Sequence, residues 1–162
     1  MWTIFDRTWY GRVAVERVEG YASAEEWRRA YAEINATEAM LAADGMRIVK
    51  LFLHVSQEEQ DERFIDRLET PWKRWKIGPD DFRNRARRAD YLAAYEEMFV
   101  LTDTPAAPWH IIGANSKKAA RLEGLRHVVE QLSVGVDLSA PPLDPALRAL
   151  AEAALGRPLT PG

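Results

Sequence analysis

The stretch that decides the fold class is RIVKLFLHVS, residues 47–56. It is a nearly continuous apolar run with β-branched and aromatic members, and its length suits a strand that is covered on both faces. The residues SQEE, 56–59, then form a capping-box sequence, which predicts that a helix starts directly after the strand. A buried strand followed at once by a helix is typical of a parallel sheet in an α/β protein.

Further elements of the same kind lie on both sides of this unit. Residues 2–5, WTIF, lead into the block FDRTWYGR at 5–12 and predict another buried strand. SAEE, 23–26, is a second capping box, and apolar residues at helical spacing then predict a helix up to Asp44 and Gly45, with Glu38 interrupting its apolar face. Residues 109–112, WHII, predict a short third strand.

Two more helices complete the predicted order. One should run from about residue 81 to 101, and the other is an amphipathic helix capped by Ser116. The alternation predicts an α/β fold, a parallel sheet with helices on both faces, whose function lies at the carboxyl ends of the strands. Three features fall at such ends: Asp6 with Arg7, residues 54–56, and Asn115.

Composition excludes several classes of site. The chain has 162 residues, 47% hydrophobic and 29% charged, enough for one domain with a real core. It contains no cysteine, which rules out disulfides, thiolate metal sites and a cysteine nucleophile. No apolar run reaches the roughly 18 residues of a membrane span, and no signal peptide opens the chain, so we expect a cytoplasmic protein that does not bind membranes.

Charge is distributed unevenly along the chain. The net charge is only −3, yet residues 63–88 hold nine basic and four acidic residues. Arg63 and Arg67, four apart on one helix face, are followed by KRWK in a segment broken by proline and glycine. Such a segment suits a mobile cationic flap that closes over anionic phosphates. It could also be a solvated helix face, or bind single-stranded nucleic acid through Trp72 and Trp75, although nothing outside the segment supports nucleic acid.

An aspartate directly after an apolar strand can hold Mg²⁺ or its waters beside a phosphate. Asp6 has this position, although an aspartate there can also be a simple turn or cap. Arg7 and Arg12 favour the phosphate interpretation, because guanidinium groups recognise phosphate oxygens. Lys117, near the start of the last helix, could face a phosphate or a base.

Six ordered blocks of the sequence resemble the family-2 polyphosphate kinases, from about residue 2 to 132. These blocks are FDRTWYGRVAVERVEG, EWRRAYAEIN, FLHVSQEEQDERF, PWKRWKIGPDD, YLAAYEEM and PWHIIGANSKKAARL. The resemblance implies a P-loop kinase-like three-layer α/β/α fold with a helical lid at about 60–88. It also implies a homo-oligomer and Mg²⁺-dependent phosphoryl transfer between polyphosphate and a nucleoside di- or monophosphate such as ADP, AMP or GDP.

The resemblance assigns roles to individual residues. Asp6 resembles the Walker B aspartate that organises Mg²⁺, and Arg7 and Arg12 resemble its phosphate-binding companions, which makes these three the catalytic candidates. The candidates for binding the phosphates are Arg63, Arg67, Lys73, Lys76, Asn115 and Lys117. We expect residues 1–136 to form the kinase-like domain and residues 137–162 a tail rich in proline and alanine. Its one short helix should begin at the cap Asp144 with Pro145 in the first position.

Two departures from the family pattern stand out. No glycine-rich G-x-x-x-x-G-K-[ST] loop occurs in the sequence, and Arg88 stands where the family usually has tryptophan. We therefore expect an amino-terminally truncated domain that is inactive as an isolated chain. The alternative is a non-catalytic half that binds polyanions or assembles with kinase subunits.

Overall fold

The computed structural model describes residues 2–160, which divide into two compact units, one up to residue 132 and one from residue 133. The predicted boundary after residue 136 stays a prediction. Two short 3-10 helices cover Trp9–Gly11 and Pro71–Lys76. The other elements are α1 (Val15–Glu19), α2 (Ala24–Ala43), β1 (Lys50–His54), α3 (Gln57–Glu69), α4 (Pro79–Ala86), α5 (Arg88–Thr102), β2 (Trp109–Gly113), α6 (Lys117–Ser133) and α7 (Pro145–Leu155).

The two strands pair in parallel, which confirms the predicted parallel sheet. Lys50 lies opposite Trp109 and His54 opposite Gly113. Because both strands run in the same direction, their carboxyl ends meet at one edge of the sheet. The segments after His54 and Gly113 therefore lie side by side.

Helices cover both faces of this sheet, as predicted. On one face α6 packs against the sheet, where Gly124 lies next to the side chains of Ile112 and Leu51. On the other face the ring of Phe52 contacts Tyr95 and Phe99 of α5, with ring centroids 4.9 and 5.0 Å apart. Alternate strand residues therefore supply both layers of the core.

The core on the α5 face of the sheet continues to α2 and to the amino-terminal segment. Its buried members are Val13, Ala30, Tyr31, Ile34 and Met98. Helix α2 begins as the sequence predicts, because Ser23 and Glu26 form both hydrogen bonds of a capping box. The apolar face of α2 that the sequence predicts is the face that packs into this core.

The prediction of a buried strand at residues 2–5 was wrong. These residues form no strand, and Trp2, Ile4 and Phe5 are 79%, 92% and 61% exposed. A strand forms only where a neighbouring strand accepts and donates its backbone hydrogen bonds. The sheet within residues 2–160 contains β1 and β2, and neither pairs with residues 2–5.

The prediction of one helix over residues 81–101 was also wrong, because α4 and α5 are separate helices that meet at Arg87. Ion pairs join α4 to two other helices. Arg85 at the end of α4 pairs with Asp61 of α3, while Arg83 donates to Glu19 of α1. Similarly, residues 71–76 form a 3-10 helix where the sequence indicated a broken, irregular segment.

The hydroxyl of Tyr91 ties α5 to α1, since it donates to the buried carboxylate of Glu19 at 3.0 Å. Burial is the main cause that raises the pKa of Tyr91 to about 12, and this hydrogen bond is the second. In the unfolded chain a tyrosine titrates near its ordinary pKa of about 10. The hydrogen bond's stabilisation should therefore be complete below pH 10 and lost as the pH rises towards 12.

Unfolding in urea at a series of alkaline pH values tests this expectation. The free energy of unfolding of the wild type should fall between about pH 10 and 12, and that of Tyr91→Phe should fall less over the same range. At pH 8 the two proteins serve as the control, because there they should differ only by the lost hydrogen bond. Identical slopes for both proteins would contradict the assignment to Tyr91.

The second unit contains α7, which begins where the sequence predicts. The carboxylate of Asp144 accepts hydrogen bonds from the backbone of Ala146 and Leu147, and Pro145 occupies the first turn. Arg148 pairs with Glu152 on the helix surface. Across residues 2–160, every helix is either too short or too polar to cross a membrane.

Candidate functional site

The loops that follow β1 and β2 are joined by side-chain hydrogen bonds. Asn115 accepts from the backbone N–H of Ser56 at 2.9 Å and donates to its hydroxyl at 3.2 Å. Arg63 of α3 donates to the carbonyls of Ala114 and Asn115 at 2.8 and 3.0 Å. The structure thus brings together two predicted phosphate-binding residues, Asn115 and Arg63, at the carboxyl edge of the sheet.

This arrangement changes the capping of α3. The Ser56 hydroxyl accepts from the N–H of Glu59, as the sequence predicts. The returning half of the capping box is absent, because the N–H of Ser56 donates to Asn115 and the Glu59 carboxylate pairs with Arg63 at 2.7 Å. The start of α3 is therefore fastened to the neighbouring strand's loop.

Arg88, which stands where the family pattern usually has tryptophan, also reaches this edge of the sheet. Its guanidinium donates to the carbonyl of Val55 at 2.6 Å and to the side chain of Gln60 at 3.2 Å. Arg88 therefore binds the backbone carbonyl of the first residue after β1. Two guanidinium groups, those of Arg63 and Arg88, now flank the strand ends.

A cleft of about 210 Å³ opens between α3 and the start of α4. Its lining contains two arginines and one carboxylate, and Arg63 also pairs with Glu59, which lies outside the lining. The lining residues are Val55, Gln60, Arg63, Phe64, Arg67 and Asp81. A T-shaped contact between Phe64 and Phe82, with centroids 5.4 Å apart, holds its two walls together.

Some cations of the basic segment, residues 63–88, are neutralised internally. Lys73 contacts both carboxylate oxygens of Asp66 at 2.7 and 2.8 Å, and this hydrogen bonding holds the pKa of Asp66 below its ordinary value. In the same way Arg85 lowers the pKa of Asp61. The charge count of this segment therefore overstates the charge that is available to a ligand.

Two other cations of the segment, and Lys117 outside it, make no hydrogen bond to a carboxylate among the described residues and can bind an anionic ligand. Arg67 lies 3.9 Å from Asp81 and donates one long hydrogen bond to the carbonyl of Lys76. The ammonium of Lys76 lies over the ring of Trp75, 5.1 Å from its centroid, and pairs with no carboxylate in the described chain. Lys117 is exposed at the first turn of α6, close enough to Asp66 to lower its pKa.

Asp6 and Arg7 lie on the exposed amino-terminal segment. Within residues 2–160 the Asp6 carboxylate has neither a hydrogen-bond partner nor an ion-pair partner. Arg7 adopts a left-handed backbone conformation, with φ of 63°. Burial raises the pKa of Tyr95, and the positive charges of Arg7 and Arg88 act to lower it.

Arg12 lies apart from this group. Its guanidinium pairs with Glu16 at 3.1 Å and lines a shallow cleft against α2, beside Ala30 and Ile34. Its assignment as a phosphate ligand stays a prediction. In the part of the chain that the structure describes, no three histidine, aspartate or glutamate side chains gather as a metal site.

A buried polar network was missed by sequence reasoning. The side chains of Glu38 and Lys50 are 1% and 5% exposed and form an ion pair of 2.9 Å. Tyr10 donates to Glu38 at 2.7 Å, Trp9 donates to the same oxygen at 3.3 Å, and Lys50 also donates to the Thr102 carbonyl at 2.7 Å. The one signal in the sequence was Glu38, which interrupts the apolar face of α2.

Comparison with known proteins agrees with the resemblance found in the sequence. Residues 1–137 match the family model described as Polyphosphate kinase 2 (PPK2). A polyphosphate:AMP phosphotransferase of Acinetobacter johnsonii is 52% identical over 135 residues, which are 83% of this chain and 28% of that protein. ADP-polyphosphate phosphotransferase 2 of Rhizobium meliloti is 43% identical over 129 residues, 80% of this chain and 42% of that protein.

Solved structures agree with this result. The crystal structure of a polyphosphate kinase 2 from Arthrobacter aurescens TC1 has a TM-score of 0.80 and 41% identity, over 92% of this chain and 53% of that one. The present chain thus spans about half of this solved relative and 28% to 42% of the two curated ones.

Proposed function

Because the chain belongs to the polyphosphate kinase 2 family, we propose that it supplies the phosphate-binding half of an enzyme that transfers phosphoryl groups between polyphosphate and a nucleoside mono- or diphosphate. The observation that carries this proposal is the cleft lined by Arg63 and Arg67 beside the carboxyl end of β1. Open α/β sheets bind their ligands at that edge. The names of curated relatives that match this chain contain AMP, ADP or GDP beside polyphosphate.

The free cations contact the phosphate chain in this proposal. Arg67, Lys76 and Lys117 make no hydrogen bond to a carboxylate among the described residues, although Arg67 lies 3.9 Å from Asp81, and Trp75 lies beside the Lys76 ammonium. Arg63 and Asn115 have a different part, because their hydrogen bonds to backbone groups hold the two strand ends in register. Phosphoryl transfer depends mostly on positioning and charge neutralisation, which these groups provide.

Asp6 is the residue that we assign to Mg²⁺. Its carboxylate is exposed and unpaired among the described residues, and carboxylate oxygen is a preferred ligand of Mg²⁺. One protein carboxylate suffices when waters and substrate phosphates complete the shell. When bound, Mg²⁺ neutralises charge on the phosphate oxygens. Arg7, the next residue, would place a guanidinium beside the same oxygens.

A chimera tests the catalytic competence of this half. In it, the chain replaces the matched 53% of the Arthrobacter protein. We expect Mg²⁺-dependent transfer from polyphosphate to AMP or ADP, and a loss of roughly 100-fold or more in kcat for Asp6→Asn, because the developing charge is then less well neutralised. The matched control is Asp44→Asn, an exposed aspartate at the end of α2.

The isolated chain is measured beside the chimera and is expected to be inactive. A folded chimera that fails to transfer phosphate, or one that is indifferent to Asp6→Asn, would contradict the catalytic proposal. Binding of polyphosphate without transfer would then favour the second candidate, a non-catalytic half that binds polyanions. The exposed Trp2, Ile4 and Phe5 favour that candidate's assembly with another polypeptide. A homo-oligomer and a cytoplasmic location stay predictions.

A further inference from the structure

The network around Glu38 is complete at its centre. The Lys50 ammonium has three protons and three acceptors, namely Glu38 at 2.9 Å, the Tyr10 hydroxyl at 2.9 Å and the Thr102 carbonyl at 2.7 Å. The Tyr10 hydroxyl in turn donates to Glu38 at 2.7 Å. Because each hydrogen bond has a preferred direction, such a network defines the relative positions of the four segments that contribute to it.

Stability alone does not account for a buried ion pair at this place. Removing two charges from water is costly, and apolar residues of similar size often give an equal or more stable protein. What the pair adds over apolar packing is a single defined arrangement of its partners. Two of those partners, Trp9 and Tyr10, follow closely after Asp6 and Arg7.

We propose that Glu38 and Lys50 are positioning residues that set the place of Asp6 and Arg7 by anchoring Trp9 and Tyr10. The role of Asp6 and Arg7 at the phosphates rests on the proposed function above, but the anchoring itself does not.

The segment before Trp9 has few other anchors. Residues 2–7 are exposed, and the ring of Phe5 contacts the ring of Trp9, with centroids 5.9 Å apart. Thr8 accepts from the N–H of Tyr10 at 3.3 Å and so links the segment to the anchored tyrosine. The left-handed backbone of Arg7 is a strained conformation, which persists only where neighbouring contacts maintain it.

Backbone dynamics measured by NMR test the anchoring in the full chain. The 15N order parameters of residues 6–8 are compared in the wild type, Tyr10→Phe and the double variant Glu38→Leu with Lys50→Met. We expect order parameters of about 0.8 in the wild type and below about 0.6 in both variants, with the order parameters of β1 unchanged. Tyr31→Phe is the matched control, because this buried tyrosine accepts from Arg17 and does not touch the network.

Tyr10→Phe keeps the inference falsifiable if the double variant does not fold, since its ring still packs on Trp109 with centroids 4.7 Å apart. Unchanged order at residues 6–8 in a folded Tyr10→Phe protein would overturn the positioning role. As a functional readout, polyphosphate affinity at equal folded fraction should fall by about three- to tenfold, because a preorganised segment is lost. A wild type that binds no polyphosphate would refute the proposed function, while the order parameters would still decide the anchoring.

Discussion

Replacing Glu38 by alanine is expected to lower the free energy of unfolding by about 3–5 kcal/mol. The substitution leaves the Lys50 ammonium buried without its counter-charge, and it removes the acceptor of Tyr10 and Trp9. An uncompensated charge in the interior costs far more than the lost pair itself contributed. Urea unfolding at pH 7, followed by circular dichroism, measures the change.

Two controls separate this charge effect from ordinary loss of contacts. Glu38→Leu combined with Lys50→Met removes both charges and should recover most of the stability, because apolar side chains of similar volume avoid the desolvation cost. Arg29→Ala breaks an exposed pair with Glu33 and should give no measurable change. A Glu38→Ala protein as stable as Arg29→Ala would show that the ion pair is not buried as described.

Removing Arg67 and Lys76 together is expected to weaken polyphosphate binding by roughly 100-fold at low salt. Each charge-assisted hydrogen bond contributes about 1.5–3 kcal/mol, and 1.4 kcal/mol is a tenfold change in affinity. Lys76 pairs with no carboxylate in the described chain, and Arg67 has only a long contact of 3.9 Å with Asp81, so both charges can turn to phosphate oxygens. Isothermal titration of the double alanine variant with long-chain polyphosphate at about 50 mM salt measures the loss.

The matched control is Lys73→Ala, in the same segment. Lys73 is held by both oxygens of Asp66, so its removal should change the affinity much less than removal of Lys76. Binding of the wild type should also weaken steeply with added salt, as for any contact between cations and a polyanion. Equal effects of Lys73→Ala and Lys76→Ala would contradict the division into paired and available cations.

Sequence reasoning was most successful where local signals decide the structure. The capping residues Ser23, Ser56 and Asp144 each begin a helix, and each has its expected hydrogen bond to the backbone of the first turn. The apolar run at residues 47–56 contains β1, and the alternation of elements predicted its parallel pairing with β2. These features follow from hydrogen bonding and apolar periodicity over a few residues.

Predictions failed where the outcome depends on a distant partner. Residues 2–5 have the composition of a strand, but no strand in the described chain pairs with them. The break between α4 and α5 has no glycine or proline to mark it, and it coincides with ion pairs from Arg83 and Arg85 to other helices. A local pattern cannot report such partners, because they lie between about 24 and 64 residues away.

For the candidate site, the sequence by itself determined the family, the parallel sheet and the segment where cations concentrate, because these depend on residue identity and local order. Only the tertiary structure decided which cations are available, since Lys73 is neutralised by Asp66 while Lys76 is not. It also decided that Glu38 and Lys50 meet beneath Tyr10. Burial and pairing are properties of side chains brought together by the fold, and a charge has its strongest effect where the fold removes it from water.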